Sequence, residues 1–278
     1  MSAEAVAAAL PMLVLALAAA AIVGALMGHA WWAQRRRSQI RARPFPAAWR
    51  RILRRSVPIV ARLPSDLQIR LRRHIQVFLA EKPFIGCNGQ AITDEVRVTV
   101  AAHACLLLIG YERPEYYPRL RQILVYPDAF VVNREPPVGA GLMQEQRRTM
   151  VGESWGEGQV ILSWAEVLAG AADPSDGRNV ALHEFAHQID QDKGAADGRP
   201  WRPSAAKRRR WSLVMDAALQ RLRDEPSGVI DGYGASEPAE FFAVATEAFF
   251  ERPSELASEA PGVYGELVEL YGVDPMAW

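Results

Sequence analysis

Hydrophobic and polar positions along the chain fall into three regimes. The first is an unbroken apolar run with no charged residue between Ala5 and Gly28. As a helix it would span about 36 Å, enough to cross the hydrocarbon layer of a membrane. Trp31 and Trp32 stand at its end, where an interfacial aromatic belt is expected. The second regime is basic: Arg35, Arg36, Arg37, Arg41, Arg43, Arg50, Arg51, Arg54 and Arg55 occur with no acid between them. The positive-inside rule then places the C-terminal side in the cytoplasm. A cleaved signal peptide is the rival reading, but the leader lacks a basic n-region and its apolar run is too long. These readings divide the chain into a transmembrane segment (1–32), a basic juxtamembrane linker with a first helix (33–62) and a folded domain (63–278).

The third regime alternates apolar and polar positions with the periods of ordinary secondary structure. A helix is expected from Leu63-Pro64-Ser65 to about Ala80, then a short strand within Phe84 to Gly89. Thr93 should cap a helix running to about Ile109, too apolar for the surface and hence central. His103 lies inside it as a core histidine, and Cys105 as a core thiol. Strands are expected at 123–126 and 130–132, with an exposed loop over 135–148. Gly158 to Trp164 is a stronger strand, leading into a helix from Trp164. It reads either as an edge strand able to pair with a substrate backbone or as an ordinary sheet strand. Further helices are expected over 179–190, 207–223 and 238–250. The fold class is α+β, mainly helical with a small sheet.

Helix 179–190 carries the chemistry. It contains His183-Glu184-Phe185-Ala186-His187, a His-Glu-x-x-His pattern. Residues four apart share a helix face, so two imidazoles can hold one Zn²⁺ and leave positions open. Glu184 is placed to act as general base on the water that the metal activates. Asn179 is a good N-cap, Leu182, Phe185, Ala186 and Ile189 form an apolar stripe, and Gly194 is the expected C′ residue. The alternative is a pair of surface histidines beside an unrelated acid.

Composition narrows the classes. Half the residues are apolar, so a sizeable core is available. The formal net charge is zero, which argues against a general nucleic-acid binder. Two cysteines, Cys87 and Cys105, lack structural-zinc spacing, and little supports a disulfide between them.

A zinc site needs a third protein ligand. No histidine follows His187, which leaves a carboxylate. The apolar helix 238–250 offers Glu240 and Glu247, seven apart and on one face. Either is costly to bury unpaired, and spacing does not choose between them. Asp190 shares the His183 face two turns on; it either orients a ligand from outside or pairs with an arginine.

Several stretches together resemble the Mlc titration factor A family of bacterial zinc peptidases. They are Ala101-Ala102 through Leu108, Ile123 through Pro127, Leu162-Ser163-Trp164, Asn179 through Asp190, and Pro238 through Phe250, in the family's order. The resemblance implies a fold similar to the catalytic domain of anthrax lethal factor. It implies peptidase, notably aminopeptidase, activity and contact with a transcriptional regulator of sugar use. It assigns the ligands to His183, His187 and Glu240, the base to Glu184 and an oxyanion donor to Tyr233, leaving Glu247 and Asp190 outside the ligand set. From the residues alone, a packing tyrosine is the preferred reading of Tyr233. The family's best-known members are soluble, so the N-terminal apolar run is a departure. The expected function is zinc-dependent peptide hydrolysis at the cytoplasmic face of the inner membrane. The alternative function is a membrane-tethered binding protein that sequesters a transcriptional regulator on the same scaffold, and the alternative location is the cytoplasm.

Overall fold

The structure is a computed structural model that describes residues 31–128, 130–132, 148–150, 152–155, 158–226 and 228–278, with isolated positions 12, 15, 24 and 28. The expected membrane span, 5–28, lies outside the described residues apart from those four positions. Among the described residues no helix is long and apolar enough to cross a membrane. The chain separates into Met1–Pro44 and a compact unit, Phe45–Trp278. In the first, residues 31–41 are helical.

Within the compact unit the helices are α1 (Ala47–Ser56), α2 (Ser65–Glu81), α3 (Asp94–Leu106), α4 (Trp164–Ala172), α5 (Val180–Asp190), α6 (Ala205–Asp224), α7 (Pro238–Glu251), α8 (Pro253–Glu259) and α9 (Pro261–Tyr271). The strands are β1 (Phe84–Gly86), β2 (Gln122–Tyr126), β3 (Phe130–Val132), β4 (Arg148–Met150), β5 (Gly152–Trp155) and β6 (Gln159–Ser163). The α+β expectation holds: helices dominate and the sheets are small. The unit begins with α1, a helix whose Leu53 is buried and which packs beside α3.

One sheet has the order β1-β2-β6-β5, and β3 pairs with β4 in a separate antiparallel ribbon. β1, β2 and β6 run parallel, in the register Phe84↔Ile123 and Gln122↔Gln159. Parallel neighbours need a crossover, which α3 supplies between β1 and β2. β6 is therefore interior, and of the two expectations for it the ordinary sheet strand is correct. The edge belongs to β5, antiparallel to β6 with Gly152 opposite Leu162. Most of the expected loop 135–148 lies outside the described residues; β3 and β4 flank it.

Local chemistry explains the helix starts. Thr93, Ser163, Asn179 and Ser204 each accept a backbone N–H in the first turn of α3, α4, α5 and α6. α3 ends at Leu106 rather than Ile109, although Leu107, Leu108 and Ile109 stay buried. His103 is a buried core residue bonded to the Thr99 carbonyl, and burial lowers its pKa to about 4 despite that bond. Cys105 is buried, and both cysteines are free thiols. α5 lies in the middle of the unit, against α3, α4, α7 and the β5–β6 side of the sheet. Phe185 anchors it with no exposed surface, in ring contact with Phe78 and Tyr117 at 5.7 and 5.0 Å. Packed aromatics of this kind leave the helix little freedom to rotate.

Candidate metal centre

Anchoring Phe185 turns the other face of α5 toward α7. There His183 and His187 meet Glu240, with one ligand atom from each lying within 4.8 Å of the others. His183 Nε2 is 3.2 Å from His187 Nε2 and 3.0 Å from Glu240 Oε2. His187 Nε2 is 3.6 Å from Glu240 Oε1. Zinc–nitrogen bonds of about 2.0–2.1 Å in a tetrahedron put neighbouring donors about 3.3 Å apart. The observed separations bracket that value.

The orientation of the rings adds a second observation. His183 Nδ1 is 2.8 Å from Glu247 Oε1, so Nδ1 carries the proton and donates. In the neutral ring, Nε2 then presents a lone pair to Glu240 and His187. Such lone pairs converge without repulsion only around a cation or proton. The donor set of two imidazoles and a carboxylate suits zinc. Burial disfavours charge on His183, yet hydrogen bonds to Glu240 and Glu247 override it and hold the pKa well above the usual histidine range. Burial likewise opposes charge on Glu240, but the two histidines outweigh it and keep its carboxyl well below the usual carboxylate range.

The two candidate carboxylates on α7 thus face opposite nitrogens of one ring. Glu240 faces Nε2 and stands with the ligand atoms; Glu247 is buried behind, on Nδ1. Glu247's second oxygen accepts the backbone N–H of Asn179 at the start of α5. Asn179 caps the helix through Oδ1, and its Nδ2 donates to Glu251 Oε1 at 2.9 Å. Spacing alone did not single out Glu251; its place four residues beyond Glu247 on an apolar helix was the available signal. Burial, with the nearby charges of Glu247 and Asp176, pushes its pKa up to about 8 against the opposing Asn179 bond.

Glu184 is buried, 3% exposed, and its charge bears on His183. Tyr233 sits in a 3₁₀ turn, Gly232–Ala235, with its ring centroid 6.1 Å from that of His183. It is 57% exposed, at odds with a packing tyrosine. Asp231 holds the turn, accepting from Tyr233 N and pairing with Arg178 at 2.9 Å, so the entrances to α5 and to Tyr233 are tied together.

Among the described residues Asp190 makes no hydrogen bond to a ligand and pairs with no arginine side chain, but it interacts electrostatically with His187. Its Oδ2 accepts Gly198 N at 2.7 Å. Burial raises its pKa to about 6 against that bond. Gly198 has φ +74°, and a Cβ there would lie 2.3 Å from the Pro238 carbonyl, at the start of α7. Asp190 thus fixes the turn on which the Glu240 helix rests. Gly194 is not the left-handed C′ residue expected: its φ is −173°. The Arg119 guanidinium meets the carbonyls of Gln191 and Gly194 instead.

The sequence model of the family described as "Glucose-regulated metallo-peptidase M90" matches residues 30–272. The chain belongs to this M90 family. A Synechocystis relative named "Uncharacterized protein slr2042" is 38% identical over 260 residues, covering 92% of this chain and 94% of its own. "Mlc titration factor A" of Enterobacter is 32% identical over 230 residues, covering 80% and 84%. The protein of the same name in Cronobacter sakazakii is 32% identical over 241 residues, covering 83% and 88%. The family match over residues 30–272 takes in His183, His187 and Glu240, and a metallopeptidase family implies a metal at that cluster.

Proposed function

We propose that this protein is a zinc-dependent peptidase, acting as an aminopeptidase, with His183, His187 and Glu240 as the zinc ligands. The observation that carries the reading is the convergence of those three side chains, with Glu184 one residue from the first. Zinc would supply a Lewis acid that polarises the scissile carbonyl and makes water more acidic. Glu184 takes the water proton and passes it to the leaving amine. Tyr233 donates a hydrogen bond from its phenol to the oxygen on which charge develops. Glu247 holds His183 in the tautomer that leaves Nε2 free to ligate. Strand β5, an edge among the described residues and beside α5, is where an extended peptide would pair.

The test is cleavage of a mixed peptide library by the full chain, with and without a zinc chelator. Activity that disappears with chelator and returns with added zinc supports the reading; chelator-insensitive cleavage overturns it.

A second reading draws on a relative's name, Mlc titration factor A, which says that it titrates Mlc. On that reading this chain captures a transcriptional regulator on the same scaffold, and Glu184 is dispensable. The apolar run 5–28 and the arginines after it support attachment to the inner membrane with the compact unit in the cytoplasm. Retention in the membrane fraction through a carbonate wash tests this.

A further inference from the structure

We infer that Asn179 and Glu251 form an outer clamp that positions Glu247, and through it His183, for metal binding. The inference deepens the metallopeptidase reading and rests on it.

The clamp is a chain of contacts running from the site into the core. His183 Nδ1 donates to Glu247 Oε1 at 2.8 Å. The other Glu247 oxygen accepts Asn179 N–H. The Asn179 side chain is used from both ends: Oδ1 accepts Leu182 N–H at 3.1 Å, and Nδ2 donates to Glu251 Oε1 at 2.9 Å and to the Gly170 carbonyl at 3.3 Å. Asn179, Glu251 and the Glu247 they hold are all buried, between 2% and 7% exposed.

An N-cap needs only the side-chain oxygen. Serine, threonine or aspartate would supply it equally well. Asn179 adds an N–H₂ group, and that group reaches the two elements flanking α5. Glu251 fixes it from α7, one turn past Glu247, and Gly170 fixes it from α4. With Nδ2 anchored, the Asn179 backbone N–H cannot swing away from Glu247. A Glu247 held at both oxygens cannot turn from His183 Nδ1. Gly170 permits the approach: a Cβ there would lie 2.8 Å from the Arg178 carbonyl. α5 and α7 are thereby locked in the one register that brings Glu240 opposite Nε2. Asn179 and Glu251 are positioning residues; neither belongs to the ligand set.

The clamp requires an acceptor at Glu251, not a charge. Glu251→Gln keeps the acceptor and Glu251→Leu removes it. Zinc affinity is measured on the full chain by competition with a chromophoric chelator. The Leu variant should lose about tenfold, the low end of the range for groups behind a ligand. The Gln variant should stay near wild type. Leu256→Ala, a buried change on α8, serves as the stability control: it should lower the melting temperature and leave zinc affinity unchanged. A second readout needs no metal. In the chelator-treated protein, the His183 Nδ1–H proton should give a slowly exchanging NMR resonance in wild type and Glu251→Gln, and should broaden in Glu251→Leu. Unchanged zinc affinity and an unchanged resonance in Glu251→Leu would overturn the clamp. So would equal losses in both variants. A wild-type chain that binds no zinc defeats the metallopeptidase reading instead, while the resonance still decides the clamp.

Discussion

Replacing Glu247 with alanine should damage the centre without removing a ligand. The change strands two donors, the part-buried His183 Nδ1–H and the buried Asn179 N–H. An unsatisfied buried donor costs about 1–3 kcal/mol, so the metal-free fold should lose about 2–6 kcal/mol. His183 is then free to turn or to change tautomer, and zinc affinity should fall about 10–100-fold. Glu247→Gln keeps one acceptor oxygen but turns an N–H₂ toward the other donor, so it should lose roughly half as much stability. Glu240→Ala, by contrast, removes a direct contact of both histidines and should abolish tight zinc binding. Chemical unfolding with chelator gives the stabilities, and chelator competition gives the affinities. If Glu247→Ala binds zinc as wild type does, or more weakly than Glu240→Ala, the assignment of opposite ring nitrogens to the two carboxylates is wrong.

Three further outcomes are expected. Glu251 has a pKa of about 8 when folded, against an ordinary value of about 4.3; between them the native state keeps a proton that the unfolded chain has released. Stability should therefore fall as pH rises through that window, by up to about 1.4 kcal/mol per pH unit, and urea unfolding of Glu251→Gln should show a flatter dependence. Phe185→Ala empties the fully buried anchor of α5 and should cost about 3–5 kcal/mol in the same assay, with weaker zinc binding as α5 gains freedom. Tyr233→Phe should lower kcat more than it changes KM in peptide hydrolysis, because an oxyanion donor acts mainly in the transition state.

Much of the centre was legible in the sequence because it is local. Four-residue spacing put His183 and His187 on one face, and Asn179 began the helix as its cap chemistry requires. Seven-residue spacing put Glu240 and Glu247 on one face of α7, but could not separate them. Their difference depends on which nitrogen of one imidazole each meets, a tertiary fact set by the register of two helices. Asp190 interacts electrostatically with His187, whereas its hydrogen-bond partner, Gly198, lies in a turn beyond the helix. Gly194 looked like a C-terminal cap until Arg119, far away in sequence, proved to meet those carbonyls. Strands β4 and β5 escaped notice because Arg148–Trp155 is short, polar and without alternation. The interior place of β6 followed from β5, and so was hidden with it.

Glu184→Gln tests the central claim most directly. Glutamine keeps the size of the side chain and leaves His183, His187 and Glu240 in place, while removing the base. General acid–base catalysis contributes about 10²–10⁴-fold, so zinc content should match wild type and peptide hydrolysis should fall at least about a hundredfold. A variant with full zinc content that cleaves as fast as wild type would contradict the assignment of hydrolysis to this centre.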